Sequence, residues 1–112
     1  MDNCLFCKVL RREIPAQVVH ETPDCVAFRD INPQAPVHIL VIPRVHVPSL
    51  NEATDATILG KMQLVAAEIA KREGIADGGY RTVINTNADA GQTVFHVHLH
   101  LLGGRSMKWP PG

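Results

Sequence analysis

His96-Val97-His98-Leu99-His100-Leu101-Leu102 alternates imidazole and aliphatic side chains over a stretch of strand length. In an extended chain successive side chains point to opposite faces, so the three imidazoles share one face. Phe95, Val97, Leu99 and Leu101 line the other face and are expected to pack on a helix. Neighbouring imidazoles on one face stand roughly 6.5–7 Å apart along a strand. That separation is too long for direct bonding between them, yet it lets them meet successive groups of one ligand. The expected strand covers residues 94–102.

Working outward, the run His38-Ile39-Leu40-Val41-Ile42-Pro43 is apolar throughout and flanked by prolines, which predicts a buried central strand over 38–43. Two further strands are expected at 17–21 and 25–29, joined by the turn Thr22-Pro23-Asp24. Residues 32–36 carry two prolines and read as a loop. Between about 53 and 73, Ile58, Leu59, Met62, Val65, Ala66, Ile69 and Ala70 form one stripe at helical spacing, and Gly74 ends that helix. Leu5, Phe6, Val9 and Leu10 predict a short first helix within 4–13. Residues 80–86 form another expected strand, residues 87–91 a loop, and residues 103–112 an irregular tail rich in Gly and Pro. Strands in pairs with few helices predict an α+β fold with a mostly antiparallel sheet, in a single domain spanning 1–112.

Composition narrows the function classes. Hydrophobic residues make up 46% of the chain and charged residues 20%, with formal net charge +0, so there is no basic footprint for nucleic acid. No run approaches the roughly 20 apolar residues that span a bilayer. Met1-Asp2-Asn3-Cys4 has no positive leader region, so no membrane partner is expected and the protein is placed in the cytoplasm. In a reducing compartment Cys4-x-x-Cys7 reads as a metal knuckle or a redox motif before it reads as a disulfide. A redox motif of the thioredoxin kind follows a strand, and Cys4 stands too near residue 1 for that, which favours the metal. Cys25, in an expected strand, reads as a small buried apolar residue. His20 carries no functional expectation, and Lys61, Lys71, Arg72 and Glu73 read as a solvated helix face.

Three imidazoles on one face leave two chemistries open. A metal held by two or three of them would make a zinc hydrolase. Alternatively, a neutral imidazole, with an ordinary pKa near 6.5, keeps a free lone pair at neutral pH and is itself a nucleophile. Ala90-Gly91-Gln92-Thr93, just before the histidines, offers backbone N–H groups and a hydroxyl to an anionic oxygen, which favours phosphoryl chemistry.

Four stretches resemble the histidine-triad superfamily: Asp30-Ile31-Asn32-Pro33-Gln34-Ala35-Pro36-Val37-His38, Leu40-Val41-Ile42-Pro43, Gly91-Gln92-Thr93-Val94-Phe95-His96-Val97-His98-Leu99-His100, and Gly103-Gly104-Arg105-Ser106-Met107-Lys108-Trp109-Pro110-Pro111-Gly112. The terminal Trp-Pro-Pro-Gly is similar to the branch of histidine-triad nucleotide-binding proteins that are purine nucleoside phosphoramidases. It separates that branch from the dinucleoside polyphosphate hydrolases and nucleotidylyltransferases.

The resemblance implies a histidine-triad-like fold of about five strands with one long and one short helix. It implies a nucleotidyl-histidine intermediate on His98, formed at the α-phosphorus of an AMP-type conjugate. By the same resemblance His100 and Thr93 bind the non-bridging oxygens and His38 orients the imidazoles. Asp30 accepts from the ribose hydroxyls, and Phe6, Val9, Phe28 and Ile31 hold the base by apolar contact. Asn85 and Gly91 match further nucleotide positions. Ligands are thus expected to be a purine nucleoside monophosphate or its amine or acyl conjugate.

Thr93 departs from the serine usual in the branch, which bears on how the leaving amine gains its proton. Cys4 and Cys7 resemble the zinc-binding members, in which the two cysteines join the positions of His46 and His96. Such a zinc is structural and leaves His98 metal-free, so no catalytic metal is expected. The resemblance also implies a homodimer, with Trp109 reaching toward the partner's site. Other readings are a zinc-dependent hydrolase, a purine-nucleotide-binding scaffold with little turnover, and a dinucleoside polyphosphate hydrolase.

Overall fold

The computed structural model describes residues 3–112; Met1 and Asp2, which open the N-terminal stretch read above, lie outside the described residues. Helix α1 (Leu5–Leu10) leads into strands β1 (Val18–Glu21), β2 (Cys25–Arg29) and β3 (Val37–Pro43). A short 3-10 turn at Leu50–Glu52 precedes the long helix α2 (Ala56–Arg72), which is followed by β4 (Tyr80–Val83), a one-turn helix α3 (Asn87–Ala90) and β5 (Leu99–Gly103). The five strands form one antiparallel sheet in the order β1-β2-β3-β5-β4. The fold is α+β, as the pairing of strands predicts.

The apolar run of β3 is central because both of its faces are covered. Ile39 and Val41 face α2 and join Cys25, Ala27, Leu99 and Leu101 around Met62, Ala66, Ile69 and Ala70. Leu40 and Ile42 point the other way, toward Phe6 and Val9 of α1, with Val26 and Phe28 of β2. Helix α2 starts where the Asp55 carboxylate accepts from the Thr57 N–H at 2.9 Å, and stops before Gly74, whose φ of +76° suits a residue without Cβ. At Gly103 a Cβ would lie 2.5 Å from Ile75 Cδ1, so only glycine lets the strand end run this close beneath the loop after α2.

Several expected boundaries move. The histidine segment enters the ladder only at Leu99, so the strand expected over 94–102 is half as long and His96 and His98 precede it. The reason lies across the sheet. The β3 partner of Leu99 is Val41, and beyond it the Val97 N–H donates to Val47 O at 2.6 Å while the Pro43 carbonyl accepts from the His96 ring. There its bonds go to the end of β3 and to the loop that follows. Phe95 consequently does not pack on α2; it is half exposed. β4 stops at Val83, opposite His100, one residue before the register would reach the start of β5 at Leu99, so it is shorter than the strand expected over 80–86. The loop expected at 87–91 instead closes one helical turn, and Gly103 belongs to β5 rather than to the tail. Among the described residues no helix is long and apolar enough to cross a membrane.

Candidate active site

His38 on β3 and His100 on β5 lie on the same face of the sheet as Leu40 and Ile42, opposite α2. Val97, Leu99 and Leu101 bury the other face, so the alternation of the sequence does set which way the imidazoles look. The rings of His98 and His100 are 5.0 Å apart between centroids, and the Phe6 ring meets His98 edge-on, also at 5.0 Å.

Hydrogen bonds fix where each proton sits. His98 Nδ1 is 2.8 Å from the carbonyl oxygen of His96; a carbonyl only accepts, so Nδ1 carries the proton and the lone pair of His98 is on Nε2. The Gln34 N–H donates to His38 Nδ1 at 3.0 Å, which places the proton of neutral His38 on Nε2. That nitrogen lies 2.9 Å from His100 Nδ1, and so donates to it, leaving His100 with a donor N–H at Nε2. Asp30 Oδ2 stands 3.4 Å from His38 Nε2, while Asp30 Oδ1 accepts from the Asn32 N–H at 2.8 Å.

All three rings are held neutral at ordinary pH. Burial is the first cause for each. It lowers His98 and His38, against the pull of the Asp30 charge. His100 is lowered furthest, to about 4, by burial and then by the neighbouring His98 and His38 rings. The result is one ring with a bare nucleophilic nitrogen beside another that presents a donor.

Asp30, His38 and His100 lie close enough to be considered as metal ligands. The donor pattern argues otherwise. A cation at His38 Nε2 would need that nitrogen stripped of its proton, and Gln34 already occupies the other lone pair. The cluster is built as a hydrogen-bond chain.

A second cluster fits a metal on every count. Cys4 Sγ and Cys7 Sγ each lie 3.6 Å from His96 Nδ1; Cys7 Sγ to His46 Nδ1 is 3.3 Å, and the two imidazole nitrogens are 3.3 Å apart. Zinc bonds of about 2.3 Å to sulfur and 2.0–2.1 Å to nitrogen at tetrahedral angles give edges of roughly 3.5 Å and 3.3 Å. His96 donates from Nε2 to Pro43 O at 2.9 Å, which turns the lone pair of Nδ1 inward. Burial and the adjacent Cys4 sulfur push the Cys7 thiol up, so a thiolate there calls for a cation. His96 thus serves both clusters, its ring in one and its carbonyl in the other.

The remaining expected residues divide. Phe6, Val9 and Phe28 share one apolar cluster and are already nearly covered, whereas Ile31 stands apart, fully exposed. Asn85 follows β4 in a half-buried loop, Gly91 takes a left-handed φ of +91°, and Thr93 is exposed just before the histidines. Sequence reasoning missed two contributors. The backbone of Gln34 left no signal because any residue supplies an N–H. Gln92 was read for its backbone, although its side chain is buried and bonded.

Comparison with known proteins bears on the same residues. An HIT-like protein of Synechococcus elongatus is 55% identical over 99% of this chain and 98% of its own length. The purine nucleoside phosphoramidase of Escherichia coli is 50% identical over 95% of this chain and 91% of its own length. The crystal structure of an HIT family hydrolase from Legionella pneumophila superposes with a TM-score of 0.96 at 51% identity, covering 98% of this chain and all of that one. The family model for the HIT domain matches residues 11–107, which takes in β1 to β5 and the whole histidine chain, and this protein belongs to the HIT domain family.

Proposed function

We propose that the protein is a hydrolase of purine nucleoside phosphoramidates that works through a nucleotidyl-histidine intermediate on His98. The observation that carries this reading is the tether of His98 Nδ1–H to the His96 carbonyl, which leaves a buried, neutral imidazole with its lone pair on Nε2. In the first step Nε2 forms a bond to the α-phosphorus and the phosphorus–nitrogen bond breaks, the amine leaving with a proton. In the second step water adds to phosphorus, the Nε2–phosphorus bond breaks, and the nucleoside monophosphate departs.

His100 donates from Nε2 to a non-bridging oxygen as charge builds there, its tautomer fixed through His38 and Gln34. Thr93 and the backbone around Gly91 supply further donors, and the Thr93 hydroxyl passes a proton to the leaving amine and regains one from the water of the second step. Asp30 takes the ribose hydroxyls, and Asn85 contacts the nucleotide from the loop after β4. Because Phe6, Val9 and Phe28 are already covered, the base lies on their rim, and the free side chain of Ile31 closes over it. Such contacts read shape rather than base edges, so adenine and guanine are both accepted. The name of the Escherichia coli relative supports the phosphorus–nitrogen bond as the target.

The test is hydrolysis of adenosine 5′-phosphoramidate without added metal, with mass analysis of the alkali-quenched protein. Turnover together with a nucleotidyl adduct on the peptide holding His98 is the expected result. AMP binding with no turnover would replace this reading with that of a nucleotide-binding module.

The proposal extends to a structural zinc held by Cys4, Cys7, His46 and His96. With four protein ligands the ion has no open position and performs no step; it ties α1, and with it Phe6, to the sheet. One zinc per chain is expected by elemental analysis, and Cys7→Ser is expected to lower Tm by on the order of 10 °C. A parent purified without zinc, or one whose Tm does not fall when the metal is stripped, would remove the zinc from the account. The exposed edge strand β4, with Leu64 exposed on α2 nearby, supports a homodimer in which these surfaces meet.

A further inference from the structure

We infer that Gln92 is a positioning residue for this reaction: its side-chain amide straps residues 91–94 to the body of the protein, so that Thr93 and the local backbone N–H groups stand beside His98. The inference rests on the phosphoramidase reading and deepens it.

Gln92 is 5% exposed, while the other three glutamines, Gln17, Gln34 and Gln63, are exposed. Its amide joins three separate places. Nε2 donates to Pro48 O at 2.8 Å, in the loop after β3, and to Val94 O at 3.1 Å. Oε1 accepts from the Asn87 N–H at 2.8 Å, and the Gln92 N–H donates to Asn87 O at 3.1 Å. Both hydrogens of the amide are therefore used, and Asn87 is held at both its N–H and its carbonyl.

Residues 87–94 need such a strap. They lie between β4 and β5 with no partner in the sheet, and the segment begins in left-handed backbone at Asn87, with φ of +64°, and turns again at Gly91, with φ of +91°. At the far end Val94 packs against the cluster that contains Phe6, whose ring abuts His98 at 5.0 Å. Thr93 lies between the amide-bearing residue and Val94, so fixing Gln92 and Val94 fixes Thr93 relative to the nucleophile. A residue needed only to fill this space would be apolar, because burying an amide costs free energy unless every group finds a partner. Here every group does, and the partners are backbone groups of the segment and of its support.

Gln92→Glu keeps the outline and the acceptor for Asn87 but cannot donate to Pro48 and Val94. Gln92→Met keeps the length and removes every polar contact without introducing charge, and serves should the glutamate variant not fold. Steady-state kinetics on adenosine 5′-phosphoramidate, AMP binding and thermal melting are measured for each. A displacement of this kind costs about 100-fold in rate, so kcat is expected to fall by that factor while AMP affinity stays within about threefold. On a Thr93→Ala background the same substitution should cost about tenfold or less, because residues acting on one step are not additive.

Folded variants with the parent's kcat, a loss confined to KM, or full additivity with Thr93→Ala would overturn the inference and leave the phosphoramidase reading standing. A parent that binds AMP and hydrolyses nothing would remove both.

Discussion

His98→Ala is expected to lower kcat for adenosine 5′-phosphoramidate on the order of 10⁴-fold or more, the scale seen when a covalent nucleophile is removed. The loss should be chemical rather than structural. His98 sits on the face of the sheet away from α2, so Val97, Leu99 and Leu101 and their contacts with the long helix are untouched. What disappears is the lone pair at Nε2, together with the edge-on contact to Phe6. AMP is still expected to bind, through Asp30, His100 and the apolar rim, and the nucleotidyl adduct should vanish. Turnover within tenfold of the parent, with the variant folded, would show that another group attacks phosphorus.

The second large effect is on stability in acid. In the folded protein His100 titrates at about 4, held down by burial and by the His98 and His38 rings, against an ordinary value of 6.5. Below 6.5 the unfolded chain takes up this proton first, so the stability due to a neutral His100 is complete above 6.5 and is lost as pH falls toward 4. The difference corresponds to on the order of 3 kcal/mol, a large share of the roughly 5–15 kcal/mol that separates folded from unfolded domains. His38 is lowered as well and works in the same direction. Urea midpoints measured from pH 7.5 to pH 4 are expected to fall steeply for the parent and less steeply in His100→Gln, which cannot titrate there, the remaining slope coming from His38, His96 and His98. Equal slopes in the two proteins would mean that His100 is not held neutral by the fold.

Those two effects were legible in the sequence to different depths. Strict alternation at 96–102 told which residues look toward α2 and which look away, since period two survives whether or not a strand is fully laddered. It did not tell that the ladder starts at Leu99, because that depends on Pro43 and Val47, about 50 residues away, capturing the bonds a neighbouring strand would otherwise make. The flanked run at 38–43 and the stripe on α2 were plain for the same reason: burial on two faces, or along one stripe, has to be written in apolar side chains. The turn at Asn87–Ala90 was hidden, since its residues favour loops by composition and the helical turn is closed by the side chain of Gln92 from outside it. Cys4-x-x-Cys7 on its own read as a metal knuckle or a redox motif, whereas His46 and His96 entered through resemblance; the fold brings the four side chains together. Protonation states were beyond sequence entirely, because a backbone amide and two backbone carbonyls decide them.

The double service of His96 has a consequence for how such a protein can change. The ring of His96 is one of four groups around the cysteines, but the bond that orients His98 is made by the main-chain carbonyl, which every amino acid possesses. A protein of this design can exchange the side chain at position 96, and with it surrender the cysteine cluster, without cutting the tether of the His98 ring. The orientation of His98 and the cysteine cluster are therefore heritable separately, even though one residue stands at the junction of both.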